Sequence, residues 1–217
     1  MAARILRETF PVGPLRCNCT VLANLETREA IVIDPGDNVT DILARLARHQ
    51  LTLRQIFVTH AHIDHIGGAA QLRRTTGAPV LFHPDDLPLV EMLDVQAGWL
   101  GVPVPEAVSP DQAALHGLSA GIPGLETEVI HTPGHTPGSL CLLFPKQELL
   151  LAGDTLFAGS VGRTDLPGGN GPALLRSIHN RLLPLPENTL VVPGHGQETT
   201  LGRERETNPF LQPNVRF

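Results

Sequence analysis

The amino-acid sequence predicts a single α/β domain, and three observations support this fold class. The chain has 217 residues, a length that one α/β domain ordinarily occupies. Hydrophobic residues make up 41% of the chain and charged residues 18%, which is enough apolar material for a core and excludes disorder as the main state. Short apolar runs bounded by glycine, proline and aspartate alternate with helically spaced segments, as in interleaved strands and helices.

The apolar runs predict nine strands, and the helically spaced segments predict three helices. The strands are expected at residues 5–10, 20–24, 30–34, 55–59, 80–82, 127–131, 139–144, 148–152 and 189–192. The helices are expected at residues 39–49, 66–75 and 172–183, the first with Leu43, Leu46 and Ala47 on one face. Residues 84–124 are rich in proline and glycine with weak periodicity, and we interpret them as an insertion that shapes a pocket.

Charge and composition exclude several classes of protein. The net charge is −6, no stretch concentrates lysine or arginine, and aromatic residues make up 4% with no tyrosine, so nucleic acid is not an expected partner. No apolar run approaches the roughly 20 residues that cross a bilayer. Three cysteines form no disulfide framework, and the first residues lack the apolar core of a secretory signal, so we expect a cytoplasmic protein.

The sharpest motif is the run His60-Ala61-His62-Ile63-Asp64-His65, which directly follows an apolar run predicted as a strand. Side chains two residues apart in an extended segment project the same way, so His60 and His62 can reach one ion together. Asp64 and His65 fall at the turn into the next helix and would point to a neighbouring position. This spacing predicts two adjacent metals.

Three further ligand candidates occupy equivalent places along the chain. His135, Asp154 and His195 each come shortly after an apolar run, and a glycine immediately precedes each of them. Glycine permits the sharp backbone turn that brings a ligand close to an ion. Because functional loops in α/β proteins gather at the ends of strands, these side chains are expected to join the histidine motif.

This ordered set resembles the signature of the metallo-β-lactamase superfamily, in which His-x-His-x-Asp-His is followed by a single His, a bridging Asp and a last His. The resemblance covers essentially the whole chain. It implies an αββα sandwich, a single hydrolase domain over residues 1–217, with the metals in the cleft between the loop edges of two sheets. It also implies one metal held by His60, His62 and His135, a second held by Asp64, His65 and His195, and Asp154 bridging them.

Two segments are similar to the glyoxalase II branch, in particular to its short bacterial members. One is Gly-Asp-Thr-Leu-Phe at 153–157 followed by Gly-Arg-Thr-Asp-Leu-Pro-Gly-Gly at 162–169; the other is Pro-Gly-His-Gly at 193–196 with residues 200–210. The resemblance implies hydrolysis of the thioester S-lactoylglutathione to lactate and glutathione, a reaction of methylglyoxal detoxification, with Arg163 contacting the substrate. The chain departs from larger members in having no tyrosine and, we expect, no C-terminal helical glutathione-binding domain. Both departures concern glutathione selectivity and leave the hydrolytic centre untouched.

The chemistry expected of this centre is hydrolysis by a metal-activated hydroxide. Two divalent cations lower the pKa of a shared water toward neutrality and stabilise the oxyanion that forms from the thioester carbonyl. Asp64 and Asp154 are the candidate catalytic residues of this centre. Imidazole and carboxylate ligands without thiolate suit zinc, the expected metal, and also iron or manganese. Hydrolysis remains feasible with the second position only partly filled, since one ion can activate water and polarise the carbonyl.

Nuclease activity and β-lactam hydrolysis remain possible within the superfamily that this chain resembles, and two other functions also remain open from the sequence. Gly-Arg-Thr-Asp at 162–165 also resembles persulfide dioxygenases, whose single iron would be held here by His60, His135 and Asp154; the Gly-His-Gly setting of His195 differs from that family. A binding module that keeps the fold without catalysis would ordinarily have lost ligands, and this chain retains all seven.

Other polar residues carry no functional prediction. We interpret His131 and the three cysteines as structural. Four single histidines are assigned surface or capping roles, and residues 203–206 are assigned to a solvated helical face. The single histidines are His49, His83, His116 and His179.

Overall fold

The computed structural model describes residues 4–212 and shows two six-stranded sheets packed face to face with helices on both outer sides. This is the predicted α/β class in its αββα form. The first sheet has the order β1-β2-β3-β4-β5-β6, antiparallel from β1 to β3 and parallel from β3 to β6. Its strands are β1 (Ile5–Val12), β2 (Cys17–Asn24), β3 (Glu29–Ile33), β4 (Thr52–Phe57), β5 (Val80–Phe82) and β6 (Gln112–Ala113). Its helices are α1 (Val39–Arg48), α2 (Ile63–Ile66), α3 (Ala69–Thr76), α4 (Leu87–Glu91) and α5 (Leu93–Leu100).

The second sheet and its helices come from the other half of the chain. The strands that follow in sequence are β7 (Ser119–Ile122), β8 (Leu125–His131), β9 (Leu140–Phe144), β10 (Leu149–Gly153), a separate hairpin of β11 (Leu156–Phe157) and β12 (Ser160–Val161), β13 (Leu190–Pro193) and β14 (Thr199–Thr200). The sheet order is β14-β13-β10-β9-β8-β7, with β10 and β13 parallel. The helices are α6 (Gly171–Ser177), continued by a π-helical turn at Ile178–Leu182, and α7 (Leu201–Thr207).

Alternation along the strands divides the apolar residues into three buried layers. Leu22 and Leu142 lie in the layer between the sheets. Val21, from the other face of β2, packs in the layer that holds α1, and Leu143 packs in the layer that holds α6. Because successive strand residues point to opposite faces, one pattern of alternation builds both the central core and the two outer layers.

The predicted strands all overlap observed ones, but two predicted helices differ. The helix expected at 66–75 is divided into α2 and α3, because Gly68 donates its backbone N–H to the Pro35 carbonyl at 2.8 Å. The buried face of α1 consists of Val39, Ile42 and Leu46, and Ala47 is exposed, so the predicted face was displaced. The helix expected at 172–183 is α6 with its π-helical turn.

Residues 84–124 contain more regular structure than their composition predicts. They hold α4 and α5, then β6 at the edge of one sheet and β7 at the edge of the other. No helix among residues 4–212 is both long and apolar enough to cross a membrane.

The prediction that residues 203–206 form a solvated helical face is wrong at Glu204, which lies in α7 and is fully buried. Its carboxylate accepts hydrogen bonds from the hydroxyl of Thr199 at 2.6 Å, the backbone N–H of Gly159 at 2.8 Å and the amide of Asn208 at 2.8 Å. Glu204 therefore joins α7 to the β11–β12 hairpin. The spacing of charged residues did not reveal this, since it carries no information on the contact with Gly159, which lies 45 residues away in the chain.

Replacing Glu204 with alanine is expected to lower the free energy of unfolding by about 3 kcal/mol, because three donors, two of them on the buried residues Thr199 and Asn208, lose their acceptor. Chemical denaturation measures this value. The matched change at the exposed Glu206 should stay within about 0.5 kcal/mol of the wild type. Equal effects of the two substitutions would contradict the assigned role of Glu204.

Candidate metal centre

Loops from both sheets meet at one rim of the sandwich, and the seven side chains predicted as ligands all lie there. The first sheet contributes the loop after β4 and the short helix α2, and the second contributes the loops after β8, β10 and β13. Since β10 and β13 are parallel, their carboxyl ends reach the same edge. The seven side chains are His60, His62, Asp64, His65, His135, Asp154 and His195.

Three imidazole nitrogens converge on one point. Nε2 of His60 lies 3.0 Å from Nδ1 of His62 and 3.2 Å from Nε2 of His135, and the last two nitrogens are 2.9 Å apart. Nitrogens bound to one zinc at about 2.0–2.1 Å in tetrahedral geometry would be about 3.3 Å apart. The observed spacing is close to that of a three-histidine ligand set.

A second group of ligand atoms lies beside the first. Oδ2 of Asp64 is 3.1 Å from Nε2 of His195 and 3.7 Å from Nε2 of His65. Asp154 lies between the two groups, since its Oδ1 is 3.5 Å from Nε2 of His65 and its Oδ2 is 3.6 Å from Nε2 of His135. One carboxylate can therefore serve two neighbouring positions.

Hydrogen bonds on the outer side of the rings orient these imidazoles. Nδ1 of His135 donates to the Arg163 carbonyl at 2.7 Å, and Nδ1 of His195 donates to the Leu15 carbonyl at 3.1 Å. A proton fixed on the outer nitrogen leaves the inner nitrogen with a free lone pair, as metal ligation requires. The Leu15 contact also places the β1–β2 hairpin against the loop that carries His195.

Asp34 is a buried carboxylate of this centre that does not belong to the predicted ligand set. It accepts hydrogen bonds from the backbone N–H of Thr59 at 2.7 Å, the Thr59 hydroxyl at 2.8 Å and Nδ1 of His65 at 3.0 Å. A signal was present in the sequence: Asp34 ends an apolar run just before Pro35-Gly36, and the other strand-end candidates also follow apolar runs. Asp34 holds the ring of His65 with its Nε2 toward the other ligand atoms.

Asp34→Asn is expected to weaken binding of the second cation about 10–100-fold, because the new amide presents N–H groups where Thr59 and His65 now donate. Zinc titration calorimetry of the metal-free protein measures the two affinities. Asp41→Asn, on the exposed face of α1, is the matched control and should bind like the wild type. Unchanged affinity in Asp34→Asn would show that His65 needs no such support.

Asp86 is a second buried carboxylate that the sequence did not indicate. It accepts hydrogen bonds from the backbone N–H of Ala61 at 2.9 Å, the hydroxyl of Thr136 at 2.9 Å and the backbone N–H of Gly138 at 2.6 Å. Burial raises its pKa, against the opposite effect of these donors. Asp86 joins the loop of the histidine motif to the loop of His135.

Electrostatics differ between the two groups: burial lowers the pKa of His60 and of His62 in the first, whereas in the second neighbouring acidic groups outweigh burial and raise the pKa of His65 and of His195. Burial lowers the pKa of His60 well below its usual value, and burial together with the neighbouring His135 lowers the pKa of His62 to about 3. Burial opposes ionisation of Asp64, but the charge of His65 and the hydrogen bond from His195 lower the pKa of this carboxyl. Neutral imidazoles and ionised carboxylates are the forms that bind a metal ion.

Two buried atoms of the centre have no hydrogen-bond partner among residues 4–212, namely Nε2 of His65 and Oδ1 of Asp154. Buried polar atoms rarely lack a partner. The ligand atoms lie within 4.8 Å of one another in each of three sets, namely His60 with His62 and His135, His60 with His65 and Asp154, and Asp64 with His65 and His195. These observations and the donor types fit a pair of divalent cations.

A cavity of about 460 Å³, here called the metal-site cavity, opens over these side chains. Besides ligand residues it is lined by Leu15, Trp99, Leu100, Leu166 and Arg163. Trp99 and Leu100 come from α5, so residues 84–124 do shape a pocket. Arg163 is exposed and forms a two-point ion pair with Asp165, at 2.7 Å for both contacts.

The residues assigned structural roles are mostly buried. His83, expected at the surface or as a cap, is a buried cap: it accepts a hydrogen bond from the backbone N–H of Asp85 at 3.2 Å at the start of the 3-10 turn Pro84–Asp86. Its ring also stacks on His131, with ring centroids 4.1 Å apart. Cys17, Cys19 and Cys141 are buried free thiols.

The chain is similar to several known proteins. A family model described as the metallo-beta-lactamase superfamily matches residues 12–195. The hydroxyacylglutathione hydrolase GloC of Haemophilus influenzae is 36% identical over 206 residues, a match covering 94% of this chain and 97% of that protein.

Several solved structures are also similar to this chain in fold and in sequence. BLEG-1 B3 metallo-beta-lactamase has a TM-score of 0.88 at 41% identity, covering 95% of this chain and 99% of that one. TTHA1623 in a di-iron-bound form has a TM-score of 0.85 at 41% identity, covering 93% and 98%. ETHE1 from Myxococcus xanthus has a TM-score of 0.79 at 29% identity, covering 95% and 84%.

Proposed function

The chain belongs to the metallo-beta-lactamase superfamily of metal-dependent hydrolases, and from this premise we propose that it hydrolyses a glutathione thioester. S-Lactoylglutathione is the proposed substrate, with lactate and glutathione as products. The observation that carries the proposal is the pair of ligand groups sharing Asp154 at the floor of an open cavity. The likeness to GloC over nearly the whole of both chains supports the thioester.

The proposed cofactor is a pair of divalent cations. His60, His62 and His135 would hold one, Asp64, His65 and His195 the other, and Asp154 both. When bound, such a pair supplies Lewis acidity that activates water at neutral pH and stabilises negative charge on a carbonyl oxygen. Zinc is the proposed metal, and the di-iron form of TTHA1623 keeps iron as the alternative.

The other residues of the cavity bind and orient the substrate in this proposal. Arg163 can exchange its exposed ion pair with Asp165 for a carboxylate of glutathione, since a guanidinium binds carboxylates through two parallel hydrogen bonds. Trp99 and Leu15 place apolar surface over the scissile bond and exclude bulk water from it. A thiol has a pKa near 8.5, so glutathione leaves as a thiolate without a general acid.

A persulfide dioxygenase is the alternative, and the likeness to ETHE1 fits either activity. A single iron on His60, His135 and Asp154 would use part of the centre. A single-iron site would give the second group no role. In that group Oδ2 of Asp64 and Nε2 of His195 are 3.1 Å apart, and Asp34 orients His65. The complete second group therefore favours the hydrolase.

The test is to assay the zinc-loaded and iron-loaded protein on two substrates. Loss of the thioester absorbance of S-lactoylglutathione is expected, without oxygen uptake on glutathione persulfide. Oxygen consumption without thioester cleavage would replace the proposed function with the alternative.

A further inference from the structure

We infer that a second cavity beside the metal centre receives the acyl group of the substrate, and that the preferred substrates are thioesters whose acyl chain is longer and more apolar than lactoyl. The inference rests on the proposed function. This cavity, here called the side cavity, has a volume of about 360 Å³ and lies between the β1–β2 turn, α3 and residues 100–106. Cavities of about 300–1,000 Å³ typically hold small-molecule ligands.

The side cavity adjoins the metal-site cavity. Four residues line both, namely Leu15, Ile63, Asp64 and Leu100. Asp64 belongs to the second ligand group, so the connection lies on that side of the centre. A substrate with its carbonyl at the centre can therefore extend an attached chain directly into the side cavity.

The walls of the side cavity are suited to an uncharged, apolar occupant. Val39, Val102 and Val104 contribute aliphatic surface. The charged groups at its edge already have partners: Arg74 pairs with Glu106, and Asp37 accepts the backbone N–H of Asn38 at 2.6 Å. An anionic ligand would have to displace Glu106 from Arg74, whereas an alkyl chain would gain from removal of its surface from water.

The position of Arg163 assigns the two ends of the substrate. Arg163 lines the metal-site cavity but not the side cavity, and its carbonyl accepts the hydrogen bond from His135 in the first ligand group. Arg163 therefore lies beside the first ligand group, whereas the side cavity adjoins the second through Asp64. With the carboxylates of glutathione near Arg163, the acyl group points toward Val102, and a three-carbon lactoyl group would leave most of the side cavity unfilled.

Two thioethers that resist hydrolysis test the inference by binding alone. Calorimetry of the metal-loaded protein compares S-methylglutathione with S-hexylglutathione. Burial of each methylene strengthens binding about fourfold, so burial of half of the five additional methylenes gives an affinity about 30-fold higher for the hexyl compound. Equal affinities would overturn the inference.

Two variants locate the effect in the side cavity. Val102→Phe, which fills the cavity, is expected to remove most of the gain while leaving the affinity for S-methylglutathione unchanged. Val104→Phe gives the same test at a side chain that is 60% exposed, where folding is not at risk. Val95→Phe, on α5 and outside both linings, is the control and should keep the full gain. A full gain in both filling variants would overturn the inference.

The outcome is separable from that of the proposed function. Cleavage of S-lactoylglutathione together with equal affinities for the two thioethers would contradict the acyl site and support the proposed hydrolase activity. Chain-length-dependent binding without any thioester cleavage would remove the hydrolase and keep the apolar site beside the centre.

Discussion

Replacing Asp154 with alanine is expected to reduce kcat/KM for the thioester at least about a thousandfold, because Lewis-acid stabilisation is worth several kcal/mol and each 1.36 kcal/mol is tenfold. The physical reason is the position of this carboxylate, with Oδ1 3.5 Å from Nε2 of His65 and Oδ2 3.6 Å from Nε2 of His135. Its loss removes a ligand atom from both groups at once. Steady-state kinetics and metal content per chain measure the effect together.

The control for this substitution is Asp94→Ala, which removes an exposed carboxylate on α5. It should retain wild-type turnover and metal content. If Asp154→Ala kept a tenth of the activity with two bound cations, the shared-ligand arrangement would be wrong, even for a correctly folded variant.

Gly194→Ala is expected to abolish metal retention and to destabilise the protein by about 1–3 kcal/mol, the usual cost of overpacking a rigid interior. A Cβ at this position would lie 2.1 Å from Oδ1 of Asp154 and 2.7 Å from Cε1 of His65. Both neighbours are ligand candidates, so the strain falls directly on the centre. Thermal denaturation and metal analysis after dialysis report the two effects.

Gly98→Ala is the matched control, since a Cβ there meets nothing within 4 Å and the residue lies inside α5. It should raise the free energy of unfolding by about 0.5–1 kcal/mol through helix propensity. Full metal content in Gly194→Ala would mean that the loop after β13 can move away without loss of the site.

The strands and the histidine motif were predictable because their signals are local. Short apolar runs that end at turn residues, such as Leu149-Leu150-Leu151 before Gly153-Asp154, are typical of buried strands. The ligand candidates stand next to strand ends, and parallel strands bring such ends to one edge without knowledge of the rest of the fold. Their convergence therefore follows from topology.

The features that sequence reasoning missed depend on partners far away in the chain. Glu204 accepts a hydrogen bond from Gly159, 45 residues away in the chain, and nothing in the alternating charges of 203–206 indicates this contact. The side cavity likewise is lined by Val39 and by Val102, which are far apart in the chain, and Val102 belongs to the segment 84–124, whose periodicity is weak. Asp86 is separated from the loops that it joins by 25 residues on one side and about 50 on the other.

Ligand atoms from both sheets meet at the candidate metal centre, so a bound cation would also cross-link the two halves of the sandwich. His60 and His65 follow strands of one sheet, and His135 and His195 follow strands of the other. Separation of the two sheets during unfolding would then require dissociation of the metal–ligand bonds before the apolar layer between the sheets is exposed. When the metal ion is scarce, the protein would unfold more often and proteases would degrade it faster. Metal deficiency would then lower both the activity and the amount of the protein.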